Sequence, residues 1–190
     1  MGTTHVASSC NHWRWGVPPI ALLSLLACGP ASDPDPCRID DYEEQQDLDG
    51  SADLGTLTDQ ADFAPLELTF DSPDDEDDFI FAAADLGIDG NPDIEIEARP
   101  YAAERLRVDL ELRCKDGSLA SIECNDTLQQ PQGNLGACNV EFAASEVQPI
   151  SLFVDYDCDG DPDDAFVSIH LSRIDPADAC LAYRLSLTVK

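Results

Sequence analysis

The densest run of side chains able to do chemistry is Asp155-Tyr156-Asp157-Cys158-Asp159-Gly160-Asp161-Pro162-Asp163-Asp164. Carboxylates at alternate positions, with a glycine that permits a sharp bend, are what a calcium loop built from oxygen ligands requires. An EF-hand needs a bidentate acid at its twelfth position, and counting from Asp155 that residue is Phe166. The expectation is therefore a looser calcium loop using Asp155, Asp157, Asp159 and Asp163; the competing reading is a solvated acidic turn between two strands. A second run, Asp71 to Asp78, sets Asp74, Asp75, Glu76, Asp77 and Asp78 in succession, and only water or a cation relieves their mutual repulsion. Catalytic inventory is thin. Beyond the first 27 residues there is one histidine, His170, and no G-x-S-x-G, H-E-x-x-H or phosphate-cradling glycine loop. Carboxylates for glycoside hydrolysis are plentiful, but nothing selects a pair. A non-enzyme is expected.

Charge narrows the partners. Thirty-nine Asp and Glu stand against 10 Lys and Arg, a net charge of −29. Such a chain repels nucleic-acid phosphates and anionic head groups and favours cations, with calcium first among them outside the cell.

Cysteines and the N-terminus set the compartment. Residues 1–27 contain Arg14, no acid, and the apolar run Val17 to Ala27. That run is too short to cross a bilayer and has the layout of a secretory signal. It ends Leu25-Leu26-Ala27-Cys28-Gly29, which resembles the lipobox of bacterial lipoproteins. The resemblance implies that Cys28 is acylated and becomes the first residue of the exported chain. It also implies anchoring in the cell envelope, with Gly29 pointing to the outer membrane. Six cysteines then remain: Cys37, Cys114, Cys124, Cys138, Cys158 and Cys180. An even number in an exported chain implies disulfides, and the absence of any C-x-x-C speaks against zinc or thioredoxin-type redox chemistry.

The elements that would position these groups are strands. Residues 28–53 read as an acidic, Pro-rich tether, with Cys37 stapling part of it to a domain over 54–190. Within that domain the apolar period is two: Leu106, Val108, Leu110 and Leu112 alternate with charged residues, as Leu181, Tyr183, Leu185, Leu187 and Val189 alternate with polar ones. Shorter alternations occur at Phe79/Phe81, Ile94/Ile96, Val140/Phe142, Ile150/Leu152/Val154 and Val167/Ile169/Leu171, separated by Asp-Gly and Asn-Pro turns. One helical turn is expected at Tyr101 to Arg105. About eight or nine one-faced strands must bury that face against a second sheet, so an all-β, antiparallel, jelly-roll-like sandwich is expected, with a closed barrel as the alternative. If strands 138–144, 148–157 and 166–173 form a meander, Cys138 and Cys158 meet at one end. The pairing that follows is Cys138–Cys158, Cys114–Cys124 and Cys37–Cys180.

Three stretches carry a second resemblance: D-L-G-T-L-T, then L-E-L-T-F-D-S-P-D-D-E-D-D-F-I-F, then the closing C-L-A-Y-R-L-S-L-T-V. From Leu54 to Lys190 the chain resembles the bacterial pre-peptidase C-terminal domain, with its acidic D-x-D-x-F strand opening at Asp75, Asp77 and Phe79 and its tyrosine-bearing last strand at Tyr183. That resemblance implies a jelly-roll-like sandwich and a non-catalytic module that in some members binds calcium or matrix polymers. It makes Asp75 and Asp77 inward ligands or partners of backbone amides. The protease that such modules accompany is not in this sequence. The functional expectation is a surface binding or adhesion lipoprotein, with calcium as its candidate stabiliser, for a protein or polysaccharide ligand. The alternatives are an accessory envelope lipoprotein and, behind it, a hydrolase with an unrecognised carboxylate site. Phe153, Phe166, Tyr101 and Tyr156 are candidate partner contacts, and His170 is expected to face outward with Phe166 and Ser168.

Overall fold

Outward charge and inward aliphatic residues at every second position give strands throughout the described residues. A computed structural model describes residues 40, 42, 50–59, 62–86, 92–159, 163–176 and 179–190. Eleven strands are present: β1 (Ala52–Thr58), β2 (Leu66–Phe70), β3 (Glu76–Ala84), β4 (Asp93–Pro100), β5 (Glu104–Cys114), β6 (Leu119–Cys124), β7 (Thr127–Leu128), β8 (Leu135–Ala144), β9 (Ile150–Cys158), β10 (Ala165–Ile174) and β11 (Leu181–Val189). A front sheet runs β1-β3-β10-β5-β8 and a back sheet β2-β11-β4-β9-β6-β7. Among the described residues only the β1–β3 pairing is parallel. The pairs β2–β11, β3–β10, β4–β9 and β5–β8 are those of one long hairpin folded over on itself, with β6 and β7 at its tip. The result is the expected antiparallel sandwich with a jelly-roll pairing pattern.

The inner faces are apolar: Phe79, Leu110, Leu112, Ile169 and Leu171 from the front sheet meet Ile94, Ile96, Leu152, Val154 and Leu185 from the back, all essentially solvent-free. Each such side chain contributes about 1.5–3 kcal/mol on burial. Where β8 crosses close to β6 the inward position is Gly136, because a Cβ there would lie 2.6 Å from the Leu119 and Ile122 side chains. At the far end the buried Arg173 guanidinium lies 3.5 Å from Glu104 and donates to the Ser72 and Ala179 carbonyls, tying two loops to the sheet.

Several expectations are corrected. Among the described residues there are eleven strands, where about eight or nine were expected. Tyr101 to Arg105 forms no helical turn; it is a bend, with β5 starting at Glu104. β1 begins at Ala52, inside the segment read as tether, and from that segment Asp40 also accepts the Thr69 amide at 2.9 Å while Tyr42 packs edge-on against Phe79 at 6.0 Å. Tyr156 is wholly buried, since the inward parity of Ile150, Leu152 and Val154 continues through it. The disulfides are Cys114–Cys158 and Cys124–Cys138, not Cys138–Cys158 and Cys114–Cys124. The meander assumption fails because β8, β9 and β10 are not neighbours: β9 belongs to the back sheet and the other two flank β5 in the front one. Each bridge therefore joins the front sheet to the back. Cys180 is also disulfide-bonded; the expected pairing with Cys37, like the acylated Cys28, lies outside the described residues.

The bridges span sequence separations of 44 and 14 residues. By loop-closure entropy the longer contributes about 4 kcal/mol and the shorter about 3 kcal/mol. Urea unfolding of Cys114→Ala/Cys158→Ala should thus show the larger loss, by about 1 kcal/mol relative to Cys124→Ala/Cys138→Ala; the reverse order would assign their effect to native packing.

Candidate functional site

The outer face of the front sheet departs from the polar alternation that the strands otherwise keep. Register aligns Asp53 (β1), Ile80 (β3), Ser168 (β10), Glu111 (β5) and Ala137 (β8) in one lateral row. The next row is Thr56, Ala82, Phe166, Arg113 and Leu135. Small side chains at Ala82 and Ser168 sit low among the taller Ile80, Phe166, Arg113 and Leu135, and the surface sinks into a groove of about 560 Å³. That volume falls in the range of small-ligand sites. Phe166 is 54% exposed and Ile80 40%. At the β1 rim the pairing slips between Asp53 and Thr56. Gly55 absorbs the bulge at φ +79°, with its amide donating to Asp53 Oδ1 at 2.8 Å; that left-handed backbone, not lack of space, calls for glycine.

On the same face His170 points outward, as expected. Its Nδ1 lies 3.0 Å from Asp78 Oδ1 and its Nε2 3.9 Å from Glu76 Oε1, with Asp109 opposite it on β5.

The residues singled out for calcium are dispersed. Asp155 and Asp157 lie on β9 facing outward, where Asp155 stands between Asp93 of β4 and Glu123 of β6. Burial, and then Asp155, push the Asp93 carboxyl above the usual range, and Lys190 opposes them. Asp159 follows the strand and donates its amide to the Ser118 carbonyl. Asp163 turns back so that its carboxylate accepts the Cys158 amide at 3.0 Å, while its carbonyl accepts the Tyr156 hydroxyl at 2.9 Å. Gly160, Asp161 and Pro162 lie outside the described residues. Among the described residues no three His, Cys, Asp or Glu side chains converge on a metal-sized site.

The two acids implied by the family resemblance have separate places. Asp75 accepts the Asp71 amide at 2.7 Å, and burial raises its carboxyl above the usual range. Asp77 is fully buried and accepts the Tyr183 hydroxyl at 2.5 Å; the Tyr183 ring stacks on Phe70 at 4.7 Å. Asp77 of β3 and Tyr183 of β11 thus meet across the sandwich.

Of the aromatic contacts expected from sequence, Phe166 and Tyr101 are exposed, Phe153 is half-buried and Tyr156 is interior. Sequence reasoning missed Ile80, Leu135 and Arg113. Ile80 had a local signal, an apolar residue on the polar parity of β3, but Arg113 and Leu135 join the groove only through register. Comparison of the chain with models of known protein families, with curated proteins and with solved structures finds no match.

Tyr183 and Tyr156 are held above tyrosine's ordinary pKa, burial being the main cause in both, with Asp77 and Asp163 respectively adding to it. The unfolded chain releases these protons near pH 10 while the folded chain keeps them. Stability is therefore complete below about pH 10 and falls above it, by about 1.4 kcal/mol per pH unit for each tyrosine. Urea unfolding between pH 9 and 11 measures that slope, and Tyr183→Phe should reduce it by one proton; an unchanged slope would mean Tyr183 ionises within the fold.

Proposed function

We propose that the chain is a non-catalytic, exported binding module, tethered to the cell envelope through an acylated Cys28, that takes its ligand in the front-sheet groove. The observation that carries this is the groove itself: exposed Phe166 and Ile80 lie diagonally across adjacent strands on an outer face of charged, polar and small side chains. An apolar patch ringed by polar groups is the usual surface of an interaction site. Disulfides favour an oxidising compartment, in keeping with export. The resemblance to a family of secreted non-catalytic modules supports the same function.

A photoreactive benzoylphenylalanine placed at Phe166, and at Thr188 on the outer face of the back sheet, tests it in bacteria expressing the full chain. A discrete adduct is expected from position 166 and none from 188; equal labelling from both, or none from either, overturns the groove as the binding surface. In the same cells Cys28→Ser should abolish palmitate incorporation, and retained label would remove the anchor.

Calcium belongs to this reading as a stabiliser of the acidic segment from Asp155 to Asp164, and that segment is tested apart from the groove. Calcium at about 100 times its dissociation constant would add about 2.7 kcal/mol, a rise of several degrees in Tm. The rise should vanish in chelator and in Asp157→Ala; an unchanged midpoint makes the segment solvated and the module metal-independent.

A further inference from the structure

We propose that the groove binds the C-terminal end of an apolar peptide, with its terminal carboxylate on Arg113 and its last side chains across Phe166 and Ile80. The proposal rests on the groove being the binding surface. The decisive residue is Arg113. Every other lysine or arginine among the described residues has a carboxylate within 4.0 Å: Arg99, Arg105, Arg107, Lys115, Arg173, Arg184 and Lys190 are all paired. Arg113 has none, although acids outnumber bases 39 to 10. In so acidic a chain a guanidinium finds a partner almost anywhere, yet the one without a partner among the described residues lines the groove.

Its surroundings favour a ligand carboxylate. Register places Arg113 between Phe166 of β10 and Leu135 of β8. An ion pair formed between two apolar side chains is less screened than one at open surface, and a guanidinium receives a carboxylate through two parallel N–H···O bonds. The net charge then limits the ligand's own charge. A single carboxylate can be matched by the one unpaired cation, whereas a phosphate or polyanion would bring further negative charge into the field of −29.

The remaining walls distinguish a peptide from a fatty acid. Asp53 and Glu111 line the groove and, when ionised, only accept hydrogen bonds. A peptide end supplies N–H donors beside its carboxylate; a hydrocarbon tail supplies none. The row from Leu135 to Thr56 crosses five strands, a span of about 19 Å at the usual strand spacing. That span accommodates about five extended residues.

The test uses the oxidised full chain and fluorescent hexapeptides ending in two apolar residues, each made with a free C-terminal carboxylate and as the amide, with octanoate as competitor. The carboxylate form is expected to bind about tenfold more tightly than the amide. Arg113→Gln should erase that difference, Arg113→Lys should recover part of it, and Phe166→Ser should weaken both forms. Equal affinity for acid and amide, absence of saturable binding, or octanoate binding as tightly as peptide overturns the assignment. Photolabelling at position 166 without a preference for the carboxylate removes the peptide end alone; absence of photolabelling removes the groove as well.

Discussion

Two sheets that share no strand must be held face to face, and among the described residues specific ties cross between them. Cys114–Cys158 joins β5 to β9 and Cys124–Cys138 joins β6 to β8. The third is polar: Asp77 of β3 accepts the hydroxyl of Tyr183 from β11 in the middle of an apolar interior. A buried carboxylate is costly unless it is hydrogen-bonded, so the sheets cannot slide past one another at this point without exposing the cost. The first bridge sits beside Ala165, which faces Ala83, while Asp77 faces Leu171. These two ties are therefore about 20 Å apart along β3, and the sandwich is clamped near both ends.

That clamping explains why a groove can persist on a sheet's outer face. The front sheet presents Ile80 and Phe166 to solvent while Phe79, Phe81, Val167 and Ile169 on the same strands face the core. Strands free to slip by one residue would exchange these sets and bury the groove's floor. Register is instead fixed from within, by the packing of β3, β10 and β5 and by the bridges at their ends. A preformed groove pays little reorganisation on binding. The long edge strand β8 offers a contrasting surface: Phe142 has inward parity but is 62% exposed, beside a smaller hollow lined by Thr127, Gln129 and Glu141.

The strands were legible in the sequence because alternation is local. Leu106 to Cys114 and Leu181 to Val189 announce their faces within a few residues, and a sandwich follows once nearly every segment has one apolar side. Pairing was not legible. Consecutive strands from β2 to β6 and from β8 to β11 change sheet at each connection, so neighbours in sequence are not neighbours in space and the meander assigned the wrong cysteine partners. Local parity would have placed Tyr156 inside; its position beside an acidic turn obscured that. In the sequence the candidate site was visible in Phe166 and Ile80, apolar residues on the polar parity of their strands, whereas Arg113 and Leu135 reach it only through the lateral alignment of β10, β5 and β8.

The acidic surface and the groove are two sides of one electrostatic design. Aspartate and glutamate satisfy the scattered arginines in pairs, such as Arg107 with Asp109 at 2.6 Å and Arg184 with Glu67. Exposed pairs of this kind add little stability, about 0–1 kcal/mol, but they remove those cations as landing points for anions. Once the others are neutralised in place, Arg113 is the one locally uncompensated positive group among the described residues. The surrounding negative field then works as a filter. It slows the approach of any anion, and it leaves the largest relative advantage to a ligand that carries a single carboxylate and gains the rest of its binding from apolar contact with Phe166 and Ile80. Selectivity of this kind depends on what the other arginines are doing as much as on Arg113, and no inspection of the groove alone would reveal it.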